Sequence, residues 1–135
     1  MKIELEPNIG MASFVIGNSI DEYLKLYAYN FTKAEDNENW NEYDFFDNLL
    51  EVYVDKTTGI IESIAGRVNC TYMGVNLIGY DLDDFLNLIK KKSDELEKEP
   101  IWLEGDELQN VYEIPDMALQ VWVDSNNEIR TVFVS

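Results

Sequence analysis

Residues 16–26 read IGNSIDEYLKL, and the same pattern returns at residues 78–88 as IGYDLDDFLNL. Five of these eleven positions are identical in the two segments. A second pair of segments, LEVYVD at residues 50–55 and LQVWVD at residues 119–124, shares four of six positions. Because both pairs occur in the same order along the chain, they indicate a tandem duplication.

Each copy is predicted to begin with an amphipathic helix. Ser19 and Glu22 have the spacing of a capping box, and Asp81 with Asp84 places an acceptor at the cap and a negative charge in the first turn. The second helix is expected to extend to about Glu97. The apolar residues fall on one helical face in both copies, at Ile20, Tyr23, Leu24 and Tyr27 and again at Leu82, Phe85, Leu86 and Ile89.

Each copy is then predicted to form a β-hairpin. Residues 50–55 alternate apolar and polar at strand period, and residues 119–124 repeat that alternation before a second turn. The chain is therefore predicted to have an α+β fold, with two helix-plus-β-hairpin pseudo-repeats whose helices pack on a largely antiparallel sheet.

The two copies are expected to form a single domain over residues 1–135, with units at about 10–67 and 73–135. No linker rich in Gly, Ser or Pro separates them. A unit of about 60 residues would also bury too little surface to be stable alone.

Composition excludes several classes of function. The chain has 135 residues with 27 acids, 10 bases and no histidine, for a formal charge of −17. This charge disfavours nucleic acid and anionic membranes as partners and favours a basic protein. The absence of histidine removes the usual nucleophile pairs and the commonest zinc ligand, and no phosphate-binding glycine loop occurs. We therefore expect no catalytic residues, no cofactor and no metal site.

The single cysteine, Cys70, lies in an apolar run and is predicted to be a buried, unreactive thiol. One cysteine cannot form an internal disulfide, which fits a reducing compartment. The chain shows no signal peptide and no apolar stretch long enough to span a bilayer. The expected location is the cytoplasm.

The predicted binding surface combines carboxylates with aromatic rings. Residues 35–47 hold six acids and no base beside several aromatic residues, and such a loop can attract a cationic surface and then bury ring area on it. Strand alternation also places Tyr53 and Trp122 outward at equivalent positions of the two hairpins. The candidate partner-binding residues are Glu35, Asp36, Glu38, Trp40, Glu42, Tyr43, Asp44, Asp47, Tyr53 and Trp122. Alternatively, the loop acids serve only solubility, and the outward rings are covered by other parts of the chain.

The chain resembles the immunity proteins of bacterial polymorphic toxin systems, including those of contact-dependent growth inhibition. The resemblance rests on the short acidic chain, on its aromatic-rich polar stretches, and on the repeated segments, residues 16–22 through 52–55 and their second copies. The resemblance implies a cytoplasmic protein that binds and blocks a cognate toxin domain. Many such toxins are nucleases with basic active sites, which carboxylates would occupy in competition with nucleic acid. The resemblance transfers no individual residue.

Two other classes of function stay open at this stage. One is a general interaction or scaffold module without inhibitory activity, which could form a homodimer through exposed strand edges. The other is an enzyme or ligand carrier, which would require a pocket where several carboxylates with raised pKa values converge.

Overall fold

An eight-stranded antiparallel sheet is the largest sheet in the computed structural model, which describes residues 2–135. In chain order the strands are β1 (Leu5–Glu6), β2 (Gly10–Met11), β3 (Phe14–Val15), β4 (Tyr29–Thr32), β5 (Trp40–Phe45), β6 (Leu50–Asp55), β7 (Ile61–Gly66), β8 (Thr71–Tyr72), β9 (Val75–Asn76), β10 (Lys98–Leu103), β11 (Glu107–Ile114), β12 (Leu119–Val123) and β13 (Ile129–Val134). The helices are α1 (Asp21–Leu24) and α2 (Leu82–Leu88), with 3-10 turns at Ser93–Glu95, Glu104–Asp106 and Pro115–Met117. Within residues 2–135, neither helix has the length and apolar character that crossing a membrane requires.

The large sheet consists of two four-stranded meanders that meet at its centre. Its strand order is β10-β11-β12-β13-β7-β6-β5-β4, so β10 and β4 are the edge strands. The meanders join where β13 runs antiparallel to β7, from Val132 opposite Gly66 to Val134 opposite Ile64. We call this central pairing the seam. It makes one continuous sheet out of strands that lie far apart in the sequence.

One face of the large sheet packs against the core. Leu50, Val52 and Val54 of β6 are buried while the residues between them are half-buried, and β12 shows the same alternation. The segments that cover this face are α1, α2 and the short hairpins, which contribute buried rings such as Phe14 and Phe85. Burial of these apolar side chains is the main favourable term in folding.

The repeated segments make equivalent backbone contacts in the two halves of the chain. Gly17 N–H donates to the Ile61 carbonyl at 2.9 Å, and Gly79 N–H donates to the Ile129 carbonyl at 2.7 Å. Both glycines adopt a positive φ, of 92° and 86°, which L side chains rarely tolerate. The backbone conformation therefore explains why both copies have glycine at this position.

The predicted fold class is wrong, because the structure is mostly β and not an α+β arrangement of two helix-plus-hairpin repeats. Helix α1 has only four residues, and α2 has seven and ends at Leu88 instead of near Glu97. Lys90 has a φ of 60°, and this left-handed conformation is incompatible with an α-helix that continues past it. Strands β4, β5 and β10 form where the sequence pattern predicted no strand. The hairpins predicted for residues 50–64 and 119–134 are confirmed as β6–β7 and β12–β13.

The two predicted helix caps have different outcomes. The Asp81 side chain accepts hydrogen bonds from the backbone N–H groups of Asp83 and Asp84, as predicted for the cap of α2. Ser19 accepts only from the N–H of Asp21 at 3.2 Å, while Ile20 occupies the cap position of α1 without a side-chain hydrogen bond. The predicted capping box is therefore absent from α1.

Cys70 lies in the core, as the apolar run around it predicted. Its side chain is fully buried and makes no disulfide. Burial, with a smaller contribution from the charge of Glu4, raises the pKa of this thiol to about 12. The thiolate form, which is the nucleophile, is therefore strongly disfavoured.

Candidate partner-binding face

The face of the large sheet opposite the core, which we call the open face, carries aromatic and acidic side chains. Residues directly opposite each other in neighbouring strands point to the same side of a sheet. Glu42 of β5 lies opposite Tyr53 of β6, and Asp44 lies opposite Glu51. Across the seam the same face continues through Phe133 of β13, and then through Gln120 and Trp122 of β12.

A groove of about 600 Å³ lies on the open face and crosses the seam. Four of its lining residues are aromatic. The Trp122 and Phe133 rings lie 5.5 Å apart, and the Tyr53 and Phe133 rings lie 6.1 Å apart. The Arg67 guanidinium lies 5.7 Å from the centre of the Phe133 ring. The residues that line this groove are Trp40, Tyr53, Glu62, Ser63, Arg67, Gln120, Trp122, Phe133 and Ser135.

A network of charged side chains borders the groove on the β5 and β6 side. Glu51 accepts hydrogen bonds from the Tyr53 hydroxyl at 2.7 Å and from Arg67 Nε at 2.5 Å. Arg67 also donates through Nη1 to the Thr131 hydroxyl at 3.2 Å. Arg67 is thereby held across the seam by contacts to both meanders.

The Glu42 carboxyl beside this network holds its proton more tightly than usual. Burial, then the hydrogen bond and charge of Asp44, and then the charge of Glu51 raise the pKa of Glu42 to about 7. Burial likewise raises the pKa of Asp44, although its hydrogen bond with Glu42 acts in the opposite direction. The pKa values of both carboxyl groups are raised, as expected for buried acids that stand close together and resist simultaneous ionisation.

The carboxylate oxygens of Glu42, Asp44 and Glu51 lie within 4.8 Å of one another, which is close enough to hold a cation together. Such an all-oxygen set would suit a hard ion such as Mg²⁺ or Ca²⁺. Arg67 already supplies a positive charge to Glu51, so a metal ion would have to share that carboxylate with the guanidinium.

We expect the thermal stability to fall between pH 5 and pH 8 because of Glu42. A carboxyl group with a raised pKa in the folded state contributes stability that is complete below its unfolded pKa near 4.5 and is lost as the pH rises through about 7. Melting temperatures measured across this range should decrease more steeply for the wild-type protein than for Glu42→Gln, whose amide does not titrate.

The matched control is Glu99→Gln, which removes the same charge from an exposed position on edge strand β10. This variant should keep the wild-type slope of melting temperature against pH. An unchanged slope in Glu42→Gln would show that the Glu42 carboxyl does not titrate in this range.

The structure brings half of the predicted binding residues onto the open face. Trp40, Tyr53 and Trp122 line the same groove although they lie on three different strands. Glu42 and Asp44 lie on β5 next to that groove. The outward orientation predicted for Tyr53 and Trp122 is thus observed, and the two side chains line one groove, which was not predicted.

The other predicted residues lie elsewhere. Tyr43 points to the opposite side of β5, where its ring packs 4.9 Å from Phe31 and 5.5 Å from Tyr29. Asp47 lies in the turn between β5 and β6. The remaining acids, Glu35, Asp36 and Glu38, lie in the connection between β4 and β5. All residues from 33 to 39 are exposed there, except Ala34, which is half-buried.

Sequence reasoning missed several residues of the open face, including Glu51, Glu62, Arg67 and Phe133. Glu51 could have been found, because it shares the outward face of β6 with Tyr53. Phe133 and Arg67 gave no such signal, because their place depends on the pairing of β7 with β13.

Most of the acidic side chains have no basic partner within the protein. Among residues 2–135, the ion pairs closer than 4.0 Å involve only four carboxylates, those of Glu51, Asp116, Asp124 and Glu128. Their partners are Arg67, Lys91 and Arg130. The negative charge of the chain is therefore largely available to an external cation.

Comparison of this chain with protein-family models, with curated proteins and with solved structures yields no match.

Proposed function

We propose that this protein is an immunity protein that binds a basic toxin domain through the open face and blocks its activity. The observation that carries the proposal is the groove walled by Trp40, Tyr53 and Trp122, which lies beside unpaired carboxylates on a chain of charge −17. Aromatic side chains and desolvated pockets are typical of the centres of protein interfaces. The resemblance of the sequence profile to cytoplasmic immunity proteins supports the same reading.

The energetics of such a complex assign different roles to rings and charges. Protection from a toxin requires nanomolar binding, about 12 kcal/mol, from an interface of roughly 800 Å² on each partner. Exposed charge pairs contribute only about 0 to 1 kcal/mol each. The rings of the groove must therefore supply much of the affinity, while the carboxylates raise the rate of encounter.

Inhibition would follow from occupancy of the basic surface. An enzyme that binds a phosphate backbone concentrates lysine and arginine at its active site. Carboxylates presented there compete directly with the nucleic acid for the same cations. A nuclease domain is therefore the toxin class that this surface fits best.

We expect that Asp36→Lys with Glu38→Lys will lower the association rate about tenfold at low ionic strength. Both acids lie in the exposed β4–β5 connection, close in sequence to Trp40 of the groove, so they contribute to the long-range field without contributing buried area. The rates should converge as salt screens the charges. Stopped-flow measurements at about 50 and 500 mM salt test this expectation.

A control for this variant places the same charge change elsewhere. Asp94→Lys with Glu95→Lys makes this change in the 3-10 turn at Ser93–Glu95, which precedes the meander β10–β13. It should slow association less than the loop variant does. If the two variants were equally slow, net charge and not the position of the acids would control the rate.

The function itself is tested by capture followed by rescue. The immobilised protein is exposed to extract from its source cell, and bound proteins are eluted with a salt gradient and identified. The captured protein is then expressed alone and together with this chain in a host cell. The proposal predicts that the captured protein arrests growth and that co-expression restores it. A captured protein that is harmless when expressed alone would contradict an immunity function.

A second candidate is a homodimeric interaction module, which is favoured by edge strand β4. Tyr29 and Phe31 of this strand are 44% and 48% exposed, and Leu26 nearby is 68% exposed. An exposed apolar edge of this kind invites pairing with another strand. Light scattering coupled to size-exclusion chromatography distinguishes the two cases, because a dimer that Phe31→Lys dissociates would support the interaction module.

The carboxylate pair gives weaker support to an enzyme. Glu42 has the raised pKa that a general acid requires. Glu42 and Asp44 each place one carboxylate oxygen within 4.8 Å of the other. Neither residue lines the groove. We therefore favour binding over catalysis.

A further inference from the structure

We propose that the groove on the open face, which Trp40 and Trp122 both line, binds an arginine side chain of the partner. This inference rests on the proposed function, since it specifies which group of a basic partner enters the groove. It draws on three features of the groove: the aromatic walls, the unpaired carboxylates at its rim, and the paired state of its own arginine.

The walls of the groove present ring faces and edges to any inserted group. Trp40 is 47% exposed, so part of its indole is available for a contact. The rings of Trp122, Phe133 and Tyr53 follow one another along the groove, with centres 5.5 and 6.1 Å apart. A cation placed over such rings is attracted by their electron density, and tryptophan gives the strongest attraction.

The rim of the groove carries carboxylates that lack a cation. Glu62 accepts a hydrogen bond from Trp40 Nε1 through Oε2, at 2.5 Å. Glu113, which lies beside the groove and not in its lining, accepts a hydrogen bond from Nε2 of the lining residue Gln120 at 2.7 Å. Within residues 2–135, no lysine or arginine lies within 4.0 Å of either carboxylate. A positive group entering the groove would therefore form the first ion pair of Glu62.

The one cation already present does not oppose this arrangement. Arg67 lies at the groove, but its charge is matched by Glu51 at 2.5 Å. Glu42 and Asp44 on β5 add two further acidic groups near this ion pair. The region therefore remains negative overall, which favours a cationic side chain over a neutral or acidic one.

Arginine fits these features better than lysine does. Its guanidinium is planar, so it stacks on an indole while its edge donates two parallel hydrogen bonds to one carboxylate. It is also more weakly hydrated than an ammonium group, and so it is more easily removed from water into an aromatic groove. Lysine would make the charge contact but neither the stacking nor the paired hydrogen bonds.

The test uses the three tryptophans of the chain as internal reporters. The indole N–H signals of Trp40, Trp102 and Trp122 are assigned in a ¹⁵N-labelled sample by single Trp→Phe variants. The probes are N-acetyl-arginine amide and N-acetyl-citrulline amide, which have nearly the same shape but differ in charge. We expect the arginine probe to shift the Trp40 and Trp122 signals with saturation at a Kd on the order of millimolar.

Trp102 serves as the control within each spectrum. It is 67% exposed on edge strand β10 and does not line the groove, so its signal should stay in place. The Glu62→Gln variant should weaken binding of the arginine probe several-fold, and N-acetyl-lysine amide should bind more weakly than the arginine probe. Equal responses to arginine and citrulline, or a uniform shift of all three signals without saturation, would overturn the proposal.

The outcome is separable from the fate of the proposed function. If a growth-arresting partner is captured but the arginine probe leaves Trp40 and Trp122 unchanged, the groove proposal fails and the immunity function stands. If the probe saturates the groove while no captured protein arrests growth, the arginine site stands and the immunity function fails.

Discussion

Phe14→Ala is expected to lower the free energy of unfolding by about 3 to 5 kcal/mol, which is typical of a large ring removed from a core. Phe14 is 1% exposed and stacks on Tyr23 at 4.2 Å. It also contacts the Phe45 ring at 4.8 Å and the Phe46 ring at 6.0 Å. The ring thus joins the β2–β3 hairpin and α1 to the large sheet. Urea unfolding followed by circular dichroism measures the loss.

The matched control for this variant is Phe31→Ala. Phe31 is 48% exposed and makes one close ring contact, with Tyr43 at 4.9 Å. Its removal should cost only about 1 kcal/mol, the size of a single aromatic pair. Similar losses for the two variants would mean that the rings around Phe14 do not form a specific cluster.

Trp122→Ala is expected to accelerate dissociation of the partner at least about 30-fold, which corresponds to about 2 kcal/mol, the lower limit for an interface hot spot. Trp122 lies in the groove and packs against Phe133, so its loss removes ring area that the partner buries. The association rate should hardly change, because the charge of the protein is unaltered. Surface plasmon resonance with the captured partner separates the two rates.

Trp102→Ala is the comparison variant for this prediction, since it removes an exposed tryptophan from edge strand β10 outside the groove. Its dissociation rate should remain close to the wild-type value. A large effect of Trp102 together with a small effect of Trp122 would place the interface at the sheet edge instead of on the open face.

Strands were predicted correctly from alternating apolar and polar residues where one face of the strand packs against the core. In β6, apolar residues from Leu50 to Val54 alternate with polar ones, and the turn at residues 56–59 follows directly. Strand β5 was harder to recognise. Its central residues are Glu42, Tyr43 and Asp44, and acidic residues are uncommon in strands. They occur there because the open face leaves them partly in contact with water.

The helices were overestimated because a short apolar stripe does not determine helix length. Ile20 and Tyr23 do face the core, but α1 ends at Leu24 and the chain soon enters β4. An isolated helix of four residues is unstable, so its stability comes from packing. Local sequence signals could not predict that the following residues would form β4, the edge strand that pairs with β5.

The groove could be predicted only in part, since it depends on contacts between distant residues. Alternation alone placed Tyr53 and Trp122 on outward faces of their hairpins. Whether they would be neighbours depended on the seam, where Phe133 lies opposite Ala65. The ion pair between Arg67 and Glu51 is likewise a tertiary contact without a local signal.

The position of the seam also has a consequence for the timing of synthesis. The groove combines side chains from β5 and β6 with those of β12 and β13, so no contiguous half of the chain contains it. A growing polypeptide on the ribosome cannot complete this surface before Phe133 has emerged from the exit tunnel. Newly made protein would therefore become competent to recognise its partner only after β13 has left the ribosome.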